Sequence, residues 1–599
     1  MVQTTVNLAE ALKGITYEKN VRIDTRDGSY VMANVFRPQV EGQYPALLAV
    51  SPYGKDLHTK DGFPEIWEEM LDHLPNLGDH STLSLHTWET ADPEVWVPYG
   101  YACVRLDVPG SGKSPGKLDP YSPVEARATY DAIEWAAAQP WCNGKVGLMG
   151  ISYLAIIQWR VAAEQPPHLT AICPWEGEFD YYREWARHGG ILSNTFSELW
   201  WPTQVLALQH GYADSPHHDL DDGAPIGGPE ALPAEVLQAN RIDLVQEFRD
   251  RELDGPWYRD RSGNYDAITV PMLSAANWGG MGLHARGNFE GFTQSASTEK
   301  WLRVHGGNHR DAFYLPDGEA LQKQFFDYYL RGEDNGWSER APVMLKVRQI
   351  DDSSVERDEQ EWPLARTQWT KRFLNVESGG LSASAPAQES QRSYAGLGEG
   401  LSFRTEPFAE ETEITGPVAA KLWVSSSTED MDIFATLRAF APDGTEATFA
   451  GSVEPKSPLT QGWLRVSHRK LDPARSTEWR PWHTHDTIEK LTAGEVYEVE
   501  VEIWPTSLVL PAGSTLELLI EGKDFARSAS EQDQTYARLV ERMSAFAGGA
   551  DWSELFRGCG LFLHNDPADR PPAVFGGTNT IHAGGRYDSY LLLPVIPSR

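Results

Sequence analysis

Residues 145–160 read KVGLMGISYLAIIQWR. The run Lys145–Gly150 is short, apolar and β-compatible, the pattern of a strand buried on both faces. Tyr153–Glu164 follows as a helix. The serine between them, in Gly150-Ile151-Ser152-Tyr153-Leu154, lies on a strand-to-helix turn. Such a turn pushes the side chain out at the top of a sheet, where its neighbours must be small. The helix N-terminus beneath it offers free N–H groups to a developing oxyanion. The general motif is G-x-S-x-G; here its last position is Leu154, so the reading rests on the context of strand and helix. The structural alternative is a serine that only caps a helix.

The flanking sequence alternates strands and helices. Tyr30–Arg37, Tyr44–Val50 and Tyr101–Val108 read as strands. Ser122-Pro123-Val124-Glu125 is a capping box with Pro at the first helical position, and the helix it opens stops before Pro140. Leu169–Pro174 is another strand. This order implies a mainly parallel sheet covered on both faces, an α/β domain. Residues 176–267, rich in Trp, His and Asp, read as a mostly helical insertion. Sheet rhythm returns at Ile268–Ala275 and Lys300–His305, and Glu319–Leu330 closes the unit. After residue 341 short alternating segments (VMLKVRQI, VAAKLWVSS, IFATLRAF, VYEVEVEIW, TLELLIEG) separated by turns imply an all-β sandwich or jelly roll. Residues 377–400, rich in Ser, Ala and Gly, read as an exposed loop. The expected division is 1–175 with 268–340, then 176–267 as the insertion, then 341–599.

The composition narrows the function. The chain has 599 residues and a formal charge of −34, which disfavours nucleic-acid backbones and anionic lipid as partners. Four cysteines without a C-x-x-C pair exclude a disulfide framework and a cysteine zinc site. The first twenty residues lack the apolar core of an export signal, and no apolar stretch reaches the ~20 residues of a membrane span. The expectation is a soluble, cytoplasmic protein.

A serine nucleophile needs a base later in the sheet. His309, in His305-Gly306-Gly307-Asn308-His309, follows the strand Lys300–His305, and the order Ser then His is that of α/β-hydrolases. The bland alternative is a pair of histidines that structure a loop; a metal reading finds no third ligand. Other signals are set aside. Gly110–Ser114 (GSGKS) lacks the first glycine of a P-loop. Asp219–Gly223 lacks EF-hand spacing. His483-Thr484-His485-Asp486 lies in the β region. Trp200 and Trp201 fit either a substrate pocket or the core of the insertion.

The chain resembles the cocaine esterase, glutaryl-acylase and X-Pro dipeptidyl-peptidase group of serine hydrolases. The carriers are SPYGKD (Ser51–Asp56), RLDVPGSGKSPG (Arg105–Gly116), GISYL (Gly150–Leu154), NWGGMGLHARGN (Asn277–Asn288), HGGNH (His305–His309), RPWHTHD (Arg480–Asp486) and VEIWPTS (Val501–Ser507), so the likeness spans nearly the whole chain. It implies an α/β-hydrolase domain, a helical cap and a C-terminal jelly roll. It places the nucleophile at Ser152, the base at His309, and the oxyanion donors at the Tyr53 hydroxyl and the Tyr153 N–H. The pocket tryptophans are expected among Trp175, Trp200, Trp201 and Trp278.

One departure is serious. The family's catalytic Asp falls on Gly280, and no carboxylate occurs from Asn277 to Phe289. Glu176, past the end of the preceding strand, is the expected replacement, because two neighbouring strand tips can serve one histidine. Glu178 and Asp180 are reserves, and an ion pair of Glu176 with Arg183 is the structural alternative. The reading is a serine hydrolase acting on a carboxylic ester or, alternatively, an amide or acyl-peptide. It needs no metal or organic cofactor and leaves a homo-oligomer open. A binding protein with an eroded triad is the competing reading; the joint presence of Ser152, His309 and Tyr53 argues against it.

Overall fold

The structure, a computed structural model, describes residues 6–74, 80–219, 221–528 and 557–597. Ten strands form the first sheet: β1 Ile15–Asp24, β2 Tyr30–Pro38, β3 Tyr44–Ser51, β4 Ala102–Asp107, β5 Cys142–Ile151, β6 Leu169–Trp175, β7 Met272–Asn277, β8 Lys300–His305, β9 Val343–Arg348 and β10 Ser354–Glu359. Their order is β1-β2-β4-β3-β5-β6-β7-β8-β9-β10. The run from β4 through β9 is parallel, while β1, β2 and β10 pair antiparallel at the edges. The central strands are buried over most of their length, β5 from Val146 onward, as a sheet covered on both faces requires. One face packs on the helices Pro123–Ala137 and Tyr153–Ala162, the other on Pro316–Phe326.

The local signals of the sequence have identifiable counterparts. The Ser122 hydroxyl accepts from the Glu125 N–H, and the Glu125 carboxylate reaches back one residue further than a capping box requires, to the Tyr121 N–H. Residues 176–267 hold helices of seven residues or fewer, such as Thr195–Trp200, Ala234–Ala239 and Leu244–Asp250, with a two-stranded hairpin at Arg187–His188 and Ile191–Leu192. Between residues 234 and 250 the helix ends at Asn240, and Asp243 caps a new one through the Gln246 N–H.

Two expectations are corrected. VMLKVRQI was expected in the all-β region; it forms β9 and, with β10, extends the first sheet to Glu359. Its alternation reflects an outer strand with one half-exposed position, Lys346, rather than a sandwich. Residues 377–400 are not one loop: Gly380–Ser382 and Ser390–Ala395 are strands.

The remaining strands form a twelve-stranded sheet. It includes Thr412–Ser426, Asp432–Phe440, Tyr497–Leu510 and Thr515–Glu521. Tyr590–Ile596 pairs with both Gln368–Asn375 and Thr412–Ser426, so the sheet closes on itself around its own apolar core. All four cysteines are buried free thiols.

The parallel strands bring their C-terminal ends to one rim: Ser51, Ile151, Trp175, Asn277 and His305. In open α/β sheets this rim is where ligands bind. Tyr53, Ser152, Glu176 and His309 all follow it within a few residues.

Candidate active site

Ser152 joins β5 to the helix Tyr153–Ala162 with φ 58° and ψ −118°. A non-glycine residue is strained there and persists only where its surroundings fix it. The Ser152 N–H donates to the Trp175 carbonyl at 3.0 Å, and its own carbonyl receives the Ala155 and Ile156 N–H groups. A Cβ on Gly150 would lie 2.5 Å from the Leu154 Cβ, so the elbow needs its first glycine and tolerates Leu154 at the last position. Tyr153 opens the helix, and its N–H has no intrahelical acceptor.

Tyr53 lies beside the elbow, its ring edge-on to Tyr153 at 6.1 Å. Its hydroxyl oxygen accepts from the Trp200 indole at 3.0 Å, which leaves its own proton free to donate elsewhere. Burial, with the nearby Glu89 charge, holds this phenol well above its ordinary pKa, so it stays a neutral donor.

Glu176 follows β6 with φ 51° and is fully buried. Its Oε2 accepts from His309 Nδ1 at 2.8 Å and from the Ser452 hydroxyl at 2.9 Å. Its Oε1 accepts from Asn277 Nδ2 at 3.1 Å. Arg183 instead pairs with Asp180 and Asp254. Glu178 is buried, and burial together with the nearby Glu184 and Asp180 charges raises its pKa well above the ordinary carboxylate value.

The turn at Gly280 explains the missing aspartate. The Gly280 carbonyl receives the His284 and Ala285 N–H groups, both at 2.9 Å. A Cβ on Gly280 would stand 2.9 Å from the Ala285 nitrogen and 3.1 Å from the His284 Cβ. A side chain on this turn would press on backbone, and the carboxylate that contacts His309 Nδ1 comes from the neighbouring strand tip.

Two residues that the sequence did not mark complete the cluster. Glu89 lies in the long excursion between β3 and β4, and its carbonyl accepts the Ile151 N–H at 3.2 Å. Its carboxylate accepts from His309 Nε2 at 3.0 Å. His309 therefore lies between two carboxylates. Burial opposes its charge, but Glu176 and Glu89 override that and push its pKa up to about 9. The second residue is His284, within the quoted NWGGMGLHARGN. Its Nε2 is 3.3 Å from Ser152 Oγ, and its ring stacks on His309 at 4.8 Å. Burial, helped by the nearby His309, keeps it neutral.

The tryptophans divide. Trp200 stacks on the Tyr153 ring at 6.2 Å, and Trp201 packs beside it at 6.1 Å. Trp175 and Trp278 do not line the site as expected. Trp175 points to the opposite face of the sheet, against His305 and Phe313. Trp278 donates to the Lys346 carbonyl and packs on Phe289 and Trp362. Successive residues at a strand end alternate faces, and these two take opposite ones: Trp175 packs on the side of Ala275 and Phe313, Trp278 on the side of Ala276, Phe289 and Trp362.

The signals set aside have structural roles. Asp107 accepts the Lys55 and Lys113 N–H groups, and Lys113 pairs with Asp56 and Asp219, so GSGKS is a turn in a buried ionic network. Arg183 donates to the carbonyls of His483 and Thr484, which seats that motif against the insertion. Among the described residues no group of three or more His, Cys, Asp or Glu side chains is arranged to hold a metal ion, and no helix is long and apolar enough to cross a membrane.

Comparison with known proteins gives the family. Residues 27–311 match the X-Pro dipeptidyl-peptidase (S15 family), and residues 335–592 match the X-Pro dipeptidyl-peptidase C-terminal non-catalytic domain. A solved CocE/NonD family hydrolase from Staphylococcus aureus is 32% identical, with a TM-score of 0.82, covering 100% of this chain and 99% of that one. The chain belongs to the cocaine esterase and X-Pro dipeptidyl-peptidase family of serine hydrolases. Cocaine esterase from a Rhodococcus species is 26% identical over 96% of this chain and 98% of its own length. An Xaa-Pro dipeptidyl-peptidase from Streptococcus gordonii is 20% identical over 87% of this chain and 76% of its own. This family member is an enzyme, a hydrolase with an S15 N-terminal domain and an all-β C-terminal domain.

Proposed function

We propose that this hydrolase cleaves a carboxylic ester through an acyl-enzyme on Ser152, with His309 as base, Glu176 as the acid that orients it, and Tyr53 with the Tyr153 N–H as the oxyanion hole. The observation that carries the reading is the 2.8 Å contact of His309 Nδ1 with Glu176 beside the strained Ser152 elbow. Nε2 of His309 leaves Glu89 and takes the Ser152 proton as Oγ attacks the carbonyl carbon. Glu176 holds the ring and balances the imidazolium. The tetrahedral oxyanion lies between a phenol O–H and an amide N–H that are already oriented. The imidazolium protonates the leaving alkoxide, and water reverses the sequence. Ester cleavage is favoured over amide cleavage because an alkoxide leaves more readily than an amine, and the esterase relatives agree with that choice.

In this reading residues 176–267 form a cap in which Trp200 and Trp201 line the acyl pocket, and the closed β domain is a jelly roll. A second reading has one specific observation in its favour: the Ser152–His284 contact makes His284 the first acceptor of the proton. Comparing His309→Gln with His284→Gln separates the two, since the true base loses acylation altogether. The primary test is labelling by a fluorophosphonate, mapped by mass spectrometry, followed by matched ester and amide substrates. Stoichiometric labelling of Ser152 and faster ester turnover are expected. An unlabelled Ser152 in folded protein overturns the reading.

A further inference from the structure

We propose that the C-terminal domain, whose family name calls it non-catalytic, takes part in catalysis through Ser452, a positioning residue for the Glu176–His309 pair; this rests on the triad reading above. Ser452 lies in the loop between the strands Glu446–Ala447 and Thr460–Arg465. It touches both members of the pair. Its hydroxyl donates to Glu176 Oε2 at 2.9 Å, and its carbonyl accepts the His309 N–H at 3.2 Å. Its own N–H donates to the Gly279 carbonyl at 3.0 Å, and its hydroxyl oxygen accepts from Asn277 Nδ2 at 3.3 Å.

The approach is close enough to be specific. A Cβ on Gly279 would lie 2.5 Å from the Gly451 Cα and 2.9 Å from the Ala450 carbonyl oxygen. The two backbones therefore meet glycine to glycine, which is what brings a hydroxyl from the second domain to the rim of the first sheet. The loop is fixed from behind. The Gly451 N–H donates to the Glu454 carbonyl, and the Glu454 carboxylate accepts the Gly558 and Gly560 N–H groups.

The chemistry follows from burial. Glu176 has no exposure to water, so its charge is solvated only by protein donors. Three are present: His309 Nδ1, the Asn277 amide and the Ser452 hydroxyl. Without the Ser452 donor the carboxylate pulls harder on the His309 proton and is freer to rotate away from Nδ1. The groups that face His309 are Glu176, Glu89 and His284; His305 approaches Glu176 from its other oxygen, and Arg310 follows His309 in the chain and pairs with Glu69. Ser452 changes none of their charges; it changes how firmly one of them is held.

The test compares Ser452→Ala, Ser452→Thr and Ser452→Cys in the full chain, with active sites counted by fluorophosphonate titration. For Ser452→Ala we expect kcat per titrated site to fall about tenfold, the loss from leaving one buried acceptor unmet. KM should change little, and the acidic limb of the pH–rate profile should move to higher pH. Ser452→Thr, which keeps the hydroxyl, should restore both readouts, and Ser452→Cys should fall between. If Ser452→Ala does not fold, the Thr and Cys variants still rank the donors. Unchanged kcat per site with an unmoved limb, accompanied only by lower thermal stability, overturns the role of Ser452. Failure of the unmodified protein to label at Ser152 overturns the triad reading instead, so the two failures are distinguishable.

Discussion

His309 is held by carboxylates on both ring nitrogens, and at neutral pH it is an imidazolium with no lone pair for Ser152. Its pKa stands near 9, above the ordinary 6.5, against burial and because of Glu176 and Glu89. The sign follows directly: the base form grows as pH rises through about 9, so kcat/KM should climb to an acidic limb there. Glu89→Gln removes one of the two charges. That variant should shift the limb toward neutral pH, a change read from pH–rate profiles of both proteins. Glu176→Gln removes the orienting carboxylate and should lower kcat by about 10⁴-fold, measured at saturating ester. An effect below about tenfold would mean that Glu176 is not the acid. At this scale the residues differ in how far sequence alone could place them. Ser152 is bound to a local strand, turn and helix, so its neighbours in the chain mark it. Glu176 follows from the adjacency of two strand tips. Glu89 and His284 depend on approaches of 220 residues to His309 and 132 residues to Ser152, and no local pattern encodes those.

The turn after β7 shows how an element moves a functional group. Its carbonyl at Gly280 is filled by two N–H groups of the helix start at residues 284 and 285, and its Cα faces backbone. Restoring the family's aspartate by Gly280→Asp should therefore not improve catalysis. It should destabilise the protein by about 1–3 kcal/mol, as overpacking against rigid backbone does, measured by urea denaturation, and lower kcat by displacing His284. A gain in activity would mean that the glycine is erosion rather than design. The same scale explains which elements were readable. Buried parallel strands appear as unbroken apolar runs, which mark them in the sequence. The strand Val343–Arg348 pairs parallel on one side and antiparallel on the other and is buried except at Lys346, yet the polar residues in VMLKVRQI give its sequence the alternation of a sandwich strand. Residues 176–267 fold as short helices braced by aromatic contacts, so their ends follow packing more than propensity.

Across the whole molecule, one arginine ties three parts of the chain together. Arg286, two residues beyond His284 on the helix Ala285–Gln294, is buried. Its guanidinium donates to Glu184 of the insertion at 2.6 Å and to Glu502 of the closed β domain at 2.8 Å. Nearby, Arg480 of the β domain pairs with Glu290 of the same helix, and Arg187 pairs with Asp569. The insertion, the first sheet and the second domain are thus locked together behind the active site by charges withdrawn from water. Such pairs add little over an apolar packing, but removing one partner leaves the others buried and uncompensated. Arg286→Met should cost about 3–5 kcal/mol of stability and reduce turnover, because the helix that carries it begins next to the histidine touching Ser152. Adding Glu502→Gln should recover part of both losses, since it removes one stranded charge. Urea melts and ester turnover on the single and double variants measure this; a double variant that is worse by the full sum would mean that Arg286 acts through its packing on Trp482 and not through its charge.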